Sequence, residues 1–280
     1  MKLRRPAVAG SFYPSERSEL ASAVAACYSH PLGPSHAPSA RPGTSKHAAV
    51  VVPHAGYEYS GPVAAHSYLH ASSLPDPDLI VIVGPNHYGV GSGVAVFGEG
   101  AWETPLGKVR IDSQAATELL EDCDIAADDS EAHRLEHSLE VQVPFLQHVY
   151  GDSVPILPIC LLFQDIDTTN VLARSLARLV EDRRALLVAS SDFTHYEPAA
   201  AAKRKDSVLI GDVTRMDVNS FYSTLERLQV TACGYGAIAT VMEASKALGF
   251  SAAELLKYAT SGDTTGDNNR VVGYGALRFV

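Results

Sequence analysis

The chain has 280 residues, of which 46% are hydrophobic and 19% charged, and its formal net charge is −10. This length and composition suffice for one large α/β core, so we expect a single domain over residues 1–280. The acidic balance argues against a nucleic-acid groove, and the absence of a signal-peptide core or a long apolar run predicts a cytoplasmic protein without a membrane span.

Apolar runs alternate with helical patterns along the chain, which is typical of a sheet covered on both faces. A helix is expected over 15–30, then a loop rich in Pro and Ser at about 30–46, and a strand from 48. The later predicted elements are a helix (60–71), a strand (79–84), a Gly-rich hairpin-like stretch (89–111), helices (113–122 and 136–149), a strand (154–161), a helix (168–182), a strand (185–190), helices (near 200–212, 217–228 and 234–248) and two closing strands. The predicted fold is an α/β sandwich with a mainly parallel central sheet covered by helices.

Three histidines and a cysteine stand where strand-like runs end. His54 follows AAVVVP, His87 follows DLIVIVGPN, His195 follows ALLVASSDFT, and Cys233 lies in QVTACGYGA. Ligands of open α/β sheets bind outside the carboxyl ends of the strands, so these residues can meet. Because imidazole and thiolate are the usual ligands of zinc, iron and copper, the pattern predicts one buried metal or acid–base site.

Two of these positions carry a further signal. SSDFTHY places Asp192 three residues before His195, an order in which a carboxylate can orient an imidazole that moves protons, although Asp192 can equally cap a helix. Cys233 precedes two glycines at the start of a predicted helix, where backbone N–H groups favour a thiolate, although most free cysteines are inert. The GDTTGD segment at 262–267 reads most simply as an Asp/Gly turn whose carboxylates could border the site.

A competing motif lies at residues 133–137. HRLEH matches H-x-x-E-H, in which two histidines one helical turn apart bind zinc and the glutamate is the base of inverted zinc peptidases. His133, Glu136 and His137 would then form the first turn of a helix. Such a short motif arises easily by chance, and no downstream glutamate is evident as a third ligand. A zinc peptidase is therefore the minor alternative.

Seven ordered segments resemble one known family: PAVAGSFYP, VVPHAGYEYSG, GPNH, LEHSLEVQVPFL, SSDFTHY, TACGYGA and SGDTTGD. Over nearly the whole chain, they resemble the Memo-like family, also called AmmeMemoRadiSam system protein B. Members of that family are similar in fold to class III extradiol ring-cleaving dioxygenases, which use non-haem iron(II) held by two histidines and a carboxylate. The resemblance implies an α/β sandwich built around one site at the strand ends.

The resemblance also implies roles for individual residues. His54, His87 and Cys233 would hold one transition-metal ion (iron, copper or zinc), and His195 with Asp192 would be an acid–base pair. Cys233 stands where the dioxygenases have a glutamate, a change that shifts metal preference and alters oxygen chemistry. The same resemblance implies that Tyr59 is an aromatic wall and that Glu136 and His137 line the pocket or support its ligands.

Two classes of function follow. The first is a metal-dependent, non-haem oxidoreductase-like enzyme of unknown substrate. The alternative is a non-catalytic protein that binds a ligand or peptide on a dioxygenase-like scaffold. A small-molecule or peptide ligand is expected. The family's name implies a radical-SAM protein and a companion protein as partners. From the charge and the lack of a long apolar run, we expect no nucleic acid and no membrane among the partners.

Overall fold

The structure is a computed structural model that describes residues 2–38, 45–75 and 77–280. Its strands are β1 (Leu3–Arg4), β2 (His47–Val52), β3 (Leu79–Pro85), β4 (Val94–Val96), β5 (Ala101–Thr104), β6 (Gly107–Arg110), β7 (Ala126–Asp128), β8 (Ile156–Leu161), β9 (Ala185–Ser190), β10 (His195–Glu197), β11 (Ala253–Thr260) and β12 (Val271–Phe279). Its α-helices are α1 (Arg17–Ser29), α2 (Tyr57–Ala71), α3 (Ser113–Asp122), α4 (Val143–Tyr150), α5 (Ile166–Val180), α6 (Ala199–Thr214), α7 (Val218–Leu228), α8 (Tyr235–Ala247) and α9 (Ser261–Thr265).

Four parallel strands form the centre of the larger sheet, in the order β2, β9, β3, β8. Side chains alternate between the two faces of each strand: in β3, Leu79, Val81 and Val83 enter one core, and Ile80 and Ile82 enter the other. Both faces are buried, which is why these strands appear in the sequence as unbroken apolar runs. Helices α3, α5 and α8 cover one face, and α1, α2 and α4 cover the other.

The predicted α/β fold with a central sheet between helices is confirmed, but the sheet is mixed rather than mainly parallel. At one end β12 runs antiparallel to β2 and to β11, and at the other β4 runs antiparallel to β8. The connection from β11 to β12 contains only the short α9, and so brief a link joins antiparallel neighbours because a parallel crossover needs a dozen or more residues. The finer assignment to the dioxygenase class stays a prediction.

The Gly-rich stretch is divided between two sheets. β4 joins the larger sheet, whereas β5 and β6 form an antiparallel hairpin that pairs with β1 in a separate three-stranded sheet. Residues 30–38 and 45–46 contain neither helix nor strand, as predicted for the Pro/Ser-rich loop, and residues 39–44 of that loop lie outside the described residues. Within the described ranges, no helix is long and apolar enough to cross a membrane.

The helix predicted over 136–149 is shorter than expected. Residues 136–139 form an irregular turn, a 3-10 turn covers Glu140–Gln142, and α4 begins only at Val143. The carboxylate of Glu136 accepts the backbone N–H of Ser138, a local bond that competes with a helix. Pro144 also sits in the first turn of α4, where its missing N–H costs nothing.

Candidate metal centre

The candidate site lies at the edge where the central parallel strands end. His54, His87 and Asp192 each follow their strand, β2, β3 and β9 respectively, by two residues. Cys233 comes from the turn that precedes α8. The donor atoms of His54, His87 and Cys233 all lie within 4.8 Å of one another. Strand ends far apart in sequence thus bring two imidazoles and one thiol together.

The hydrogen bonds around His54 determine which of its nitrogens carries the proton. The ring is buried, with Nδ1 2.9 Å from the Ser190 hydroxyl and Nε2 3.0 Å from the Cys233 sulfur. The single Ser190 hydroxyl proton is donated to the Ser138 carbonyl, and the same oxygen accepts from the Gln142 amide. Ser190 can therefore only accept from His54, so Nδ1 is protonated and Nε2 keeps its lone pair toward Cys233.

His87 is held in the same tautomer by a carboxylate. Glu136 accepts the His87 backbone N–H at 2.6 Å and its Nδ1–H at 2.8 Å, together with the Ser138 N–H at 2.8 Å. Burial would raise the pKa of Glu136, but the hydrogen bonds and charge of His87 outweigh burial and lower that pKa to about 2. An ionised carboxylate only accepts, so the neutral imidazole of His87 carries its proton on Nδ1, which leaves Nε2 free for a metal ion. A carboxylate behind a histidine is the usual support of a metal ligand.

The Cys233 thiol differs from what its place before a helix predicted. Burial, followed by the nearby negative charge of Asp192, raises its pKa, so without a bound cation the group is a neutral thiol. The Asp192 backbone N–H points at the sulfur from 3.4 Å and does not reverse that shift. The expected thiolate therefore requires a cation beside it.

Two contacts that the sequence did not reveal hold the Cys233 turn in place. The side-chain amide of Gln164 donates to the Cys233 carbonyl at 3.0 Å and accepts from the Gly236 N–H at 2.9 Å. A Cβ on Gly234 would lie 2.2 Å from the Ser190 carbonyl oxygen, so only glycine fits there. Gln164 follows β8 by three residues, and this strand-end position was the available signal for it.

Hydrogen bonds to Thr231, and not to Asp192, orient His195, and the acid–base role of the two residues stays a prediction. The His195 backbone N–H donates to the Thr231 hydroxyl at 2.7 Å, and its Nδ1–H donates to the Thr231 carbonyl at 2.8 Å. That carbonyl only accepts, so in the neutral imidazole of His195 the proton lies on Nδ1 and Nε2 holds the lone pair. Residues 191–194 form no helix, so Asp192 and His195 do not share a helical face.

Asp192 instead supports His54. Its Oδ1 accepts the His54 backbone N–H at 2.8 Å, and no hydrogen bond joins it to His195 among the described residues. Burial raises the pKa of Asp192 to about 6, against the opposing effects of the His54 N–H and the His195 charge. The carboxyl group is therefore mostly ionised at neutral pH and takes up its proton as the pH falls through about 6.

A cavity of about 840 Å³ opens over these groups. The His137 ring stacks on His87, with centroids 4.6 Å apart, and burial lowers its pKa to about 4. Tyr59 lines the cavity with 37% of its surface exposed, and Phe12 packs on His137. His87, Glu136 and His137 form a second group of potential metal ligands. Glu136, however, already accepts three N–H groups. The rings of His87 and His137 are also stacked nearly parallel, rather than directed at a common point. His54, His87 and Cys233 are therefore the better donor set.

The structure contradicts the zinc-peptidase alternative. His133 is fully buried, its Nε2–H donates to the Ala95 carbonyl at 3.1 Å, and its ring packs against Phe97 and Trp102. Burial lowers its pKa to about 3. The segment from His133 to His137 is a turn and not a helix, so the two histidines do not share a helical face. His133 belongs to neither group of potential ligands among the described residues.

Comparisons with known protein sequences agree on one family. The family described as Memo-like protein matches residues 4–278. A MEMO1 family protein of Methanopyrus kandleri is 47% identical, over 99% of this chain and 98% of its own, and one of Nitrosopumilus maritimus is 45% identical, over 99% and 100%. The crystal structure of an uncharacterized Escherichia coli K12 protein has a similar fold, with a TM-score of 0.59 at 16% identity over 83% of this chain and 99% of that one. The chain belongs to the Memo-like family.

Proposed function

We propose that this protein is a metal-dependent, non-haem oxidoreductase-like enzyme whose ion is held by His54, His87 and Cys233. One observation carries the proposal: their donor atoms lie within 4.8 Å of one another, and both imidazoles are held with Nδ1 protonated and Nε2 free. Nitrogen and sulfur donors suit iron, copper or zinc, and three protein ligands leave a coordination position open. The donor set fits one such transition-metal ion.

The surrounding residues have separate tasks. Ser190 and Glu136 maintain the tautomers of the two histidines. His195, anchored by Thr231, lines the cavity, and Nε2 of its neutral imidazole can accept a proton there from a bound molecule. A bound ion would supply Lewis acidity or electron transfer at its open position. Tyr59 forms an aromatic part of the cavity wall.

The dioxygenase-like assignment is part of this proposal. It is supported by a site at the carboxyl ends of parallel strands with two histidine ligands and a third histidine placed for proton transfer. Cys233 in the place of a glutamate is the main departure, and a thiolate ligand would change the reactivity of the ion.

The test is metal analysis of anaerobically purified protein beside two cysteine variants. We expect about one iron, copper or zinc per chain in the parent, loss of that metal in Cys233→Ala, and its retention in Cys123→Ala, whose thiol is buried but does not line the cavity. Metal in the parent would justify screening for oxygen consumption. Equal metal in the parent and Cys233→Ala, or none after reconstitution, would refute the assignment.

A non-catalytic binding protein is the second candidate. The cavity of about 840 Å³ is large enough for a small organic molecule or part of a peptide, and Cys233 replaces the carboxylate on which dioxygenase chemistry depends. Bound metal and bound ligand without turnover in the oxygen screen would favour this candidate.

A further inference from the structure

The cavity over the metal centre has an apolar wall and one strong cation. Four aromatic rings line it: Phe12, Tyr59, Tyr196 and Tyr274. Arg270 is the one Lys or Arg side chain among the described residues that line it. Aromatic walls with a few polar groups are typical of sites for small organic molecules. The position of Arg270 therefore bears on the charge of the ligand.

Among the described residues, the guanidinium of Arg270 has no acidic partner. It lies 5.5 Å from the centroid of the Tyr196 ring, and it forms no ion pair or hydrogen bond with any described residue. In contrast, Lys205 is paired with Glu197, which lies next to Tyr196 in β10. An arginine presents five N–H donors in a planar fork that matches a carboxylate, and those of Arg270 are available.

The backbone beside Arg270 is arranged unusually. Tyr196 has a φ of 60°, in the left-handed region. The residue is 65% exposed, so core packing does not impose this conformation. The pairing of β10 with β12 is irregular between His195 and Glu197, at this residue. Left-handed backbone at a non-glycine residue costs on the order of 1 kcal/mol, and strained residues of this kind often cluster at ligand sites. Here it places the Tyr196 ring under Arg270 at the edge of the cavity.

Asp267 limits the charge that this site can accept. Its side chain also lines the cavity, and its Oδ1 accepts the backbone and side-chain N–H groups of Asn269 rather than Arg270. With one positive and one negative group at the edge, the site suits an anion with a single charge better than a dianion. The carboxylate of the GDTTGD segment thus borders the cavity, next to a free arginine.

We infer that the cavity takes a small organic monoanion, a carboxylate with a flat apolar body, whose carboxylate pairs with Arg270 while its body lies among the aromatic rings. The inference rests on the proposed function, because it treats this cavity as the substrate pocket. Its distinguishing feature is that the carboxylate binds at Arg270 and not at the metal ligands.

The experiment measures benzoate binding by ligand-detected NMR to chelator-treated protein at low salt, so that the result does not depend on a metal. Benzamide and phenyl phosphate serve as the neutral and dianionic comparisons. Three variants accompany the parent: Arg270→Gln, Asp267→Asn, and Arg110→Gln as a control at an exposed arginine outside the cavity.

We expect benzoate to bind the parent more tightly than either comparison compound does. Arg270→Gln should raise the benzoate Kd at least ~3-fold, since a charge-assisted hydrogen bond is lost, Asp267→Asn should lower it, and Arg110→Gln should not change it. A smaller effect of Arg270→Gln, equal binding of benzamide, tighter binding of phenyl phosphate, or no benzoate binding to the parent would each overturn the inference. A protein that binds benzoate in this way but no metal would refute only the proposed metal centre.

Discussion

Replacing Glu136 by Gln tests whether the carboxylate behind His87 controls the metal centre. The carboxylate accepts three N–H groups: the backbone and Nδ1 of His87, and the backbone of Ser138. A glutamine has one oxygen, so its NH₂ group must face at least one of these donors. If NH₂ faces the His87 ring, Nδ1 must become the acceptor and the proton moves to Nε2, the nitrogen needed for a metal.

The size of the effect follows from the lost bond. Hydrogen bonds to a buried charged group contribute about 1.5–3 kcal/mol, and substitution of the partners of metal ligands typically costs 10–100-fold in metal affinity, which is about 1.4–2.8 kcal/mol. The two ranges overlap. Glu136→Gln should therefore raise the metal Kd by ~10–100-fold, and it should leave Cys233 able to bind.

The assay is a Co²⁺ titration against a competing chelator, in which the thiolate-to-cobalt absorption band reports on Cys233. The matched control is Glu131→Gln, the same substitution at an exposed glutamate that pairs with Arg134 on the surface. Thermal unfolding checks that both variants are folded. A Glu136→Gln variant with parental affinity would show that the carboxylate does not govern the His87 tautomer.

Three further predictions concern the supporting residues. Burial lowers the pKa of His133 to about 3 from its ordinary 6.5, so between these values the unfolded chain binds the proton and the protein loses stability as the pH falls. Other buried histidines, such as His137, act in the same direction. Between about pH 7 and about pH 5, chemical unfolding of His133→Gln should therefore show a loss of stability ~2 kcal/mol smaller than that of the parent. Gln164→Leu should weaken Co²⁺ binding ~10-fold, whereas Gln114→Leu, at an exposed glutamine on α3, should not. Gly234→Ala should cost ~1–3 kcal/mol because its Cβ meets the Ser190 carbonyl; an unchanged melting temperature would contradict this, and Gly211→Ala within α6 is the matched control.

The buried strands and the amphipathic helices could be predicted from the sequence. A strand that is buried on both faces gives an unbroken apolar run, and a helix that is buried on one face gives a periodic apolar pattern. The strand predicted at 79–84 is β3, and the helix predicted at 113–122 is α3. Strands of two to four residues, such as β1, β4 and β7, were not predicted because so few positions show no periodicity. The antiparallel ends of the sheet depend on pairing between distant segments, which no local pattern records.

The candidate site, like the fold, could be predicted from the sequence only in part. The meeting of His54, His87 and Cys233 could be predicted from sequence, because parallel strands end at one edge and each residue follows an apolar run or precedes a helix. The proton positions could not, because each depends on a partner distant in the chain: Ser190 for His54 and Glu136 for His87. Hydrogen bonds form only over about 3 Å and in narrow directions, so tertiary structure alone decides which nitrogen is left free for a metal.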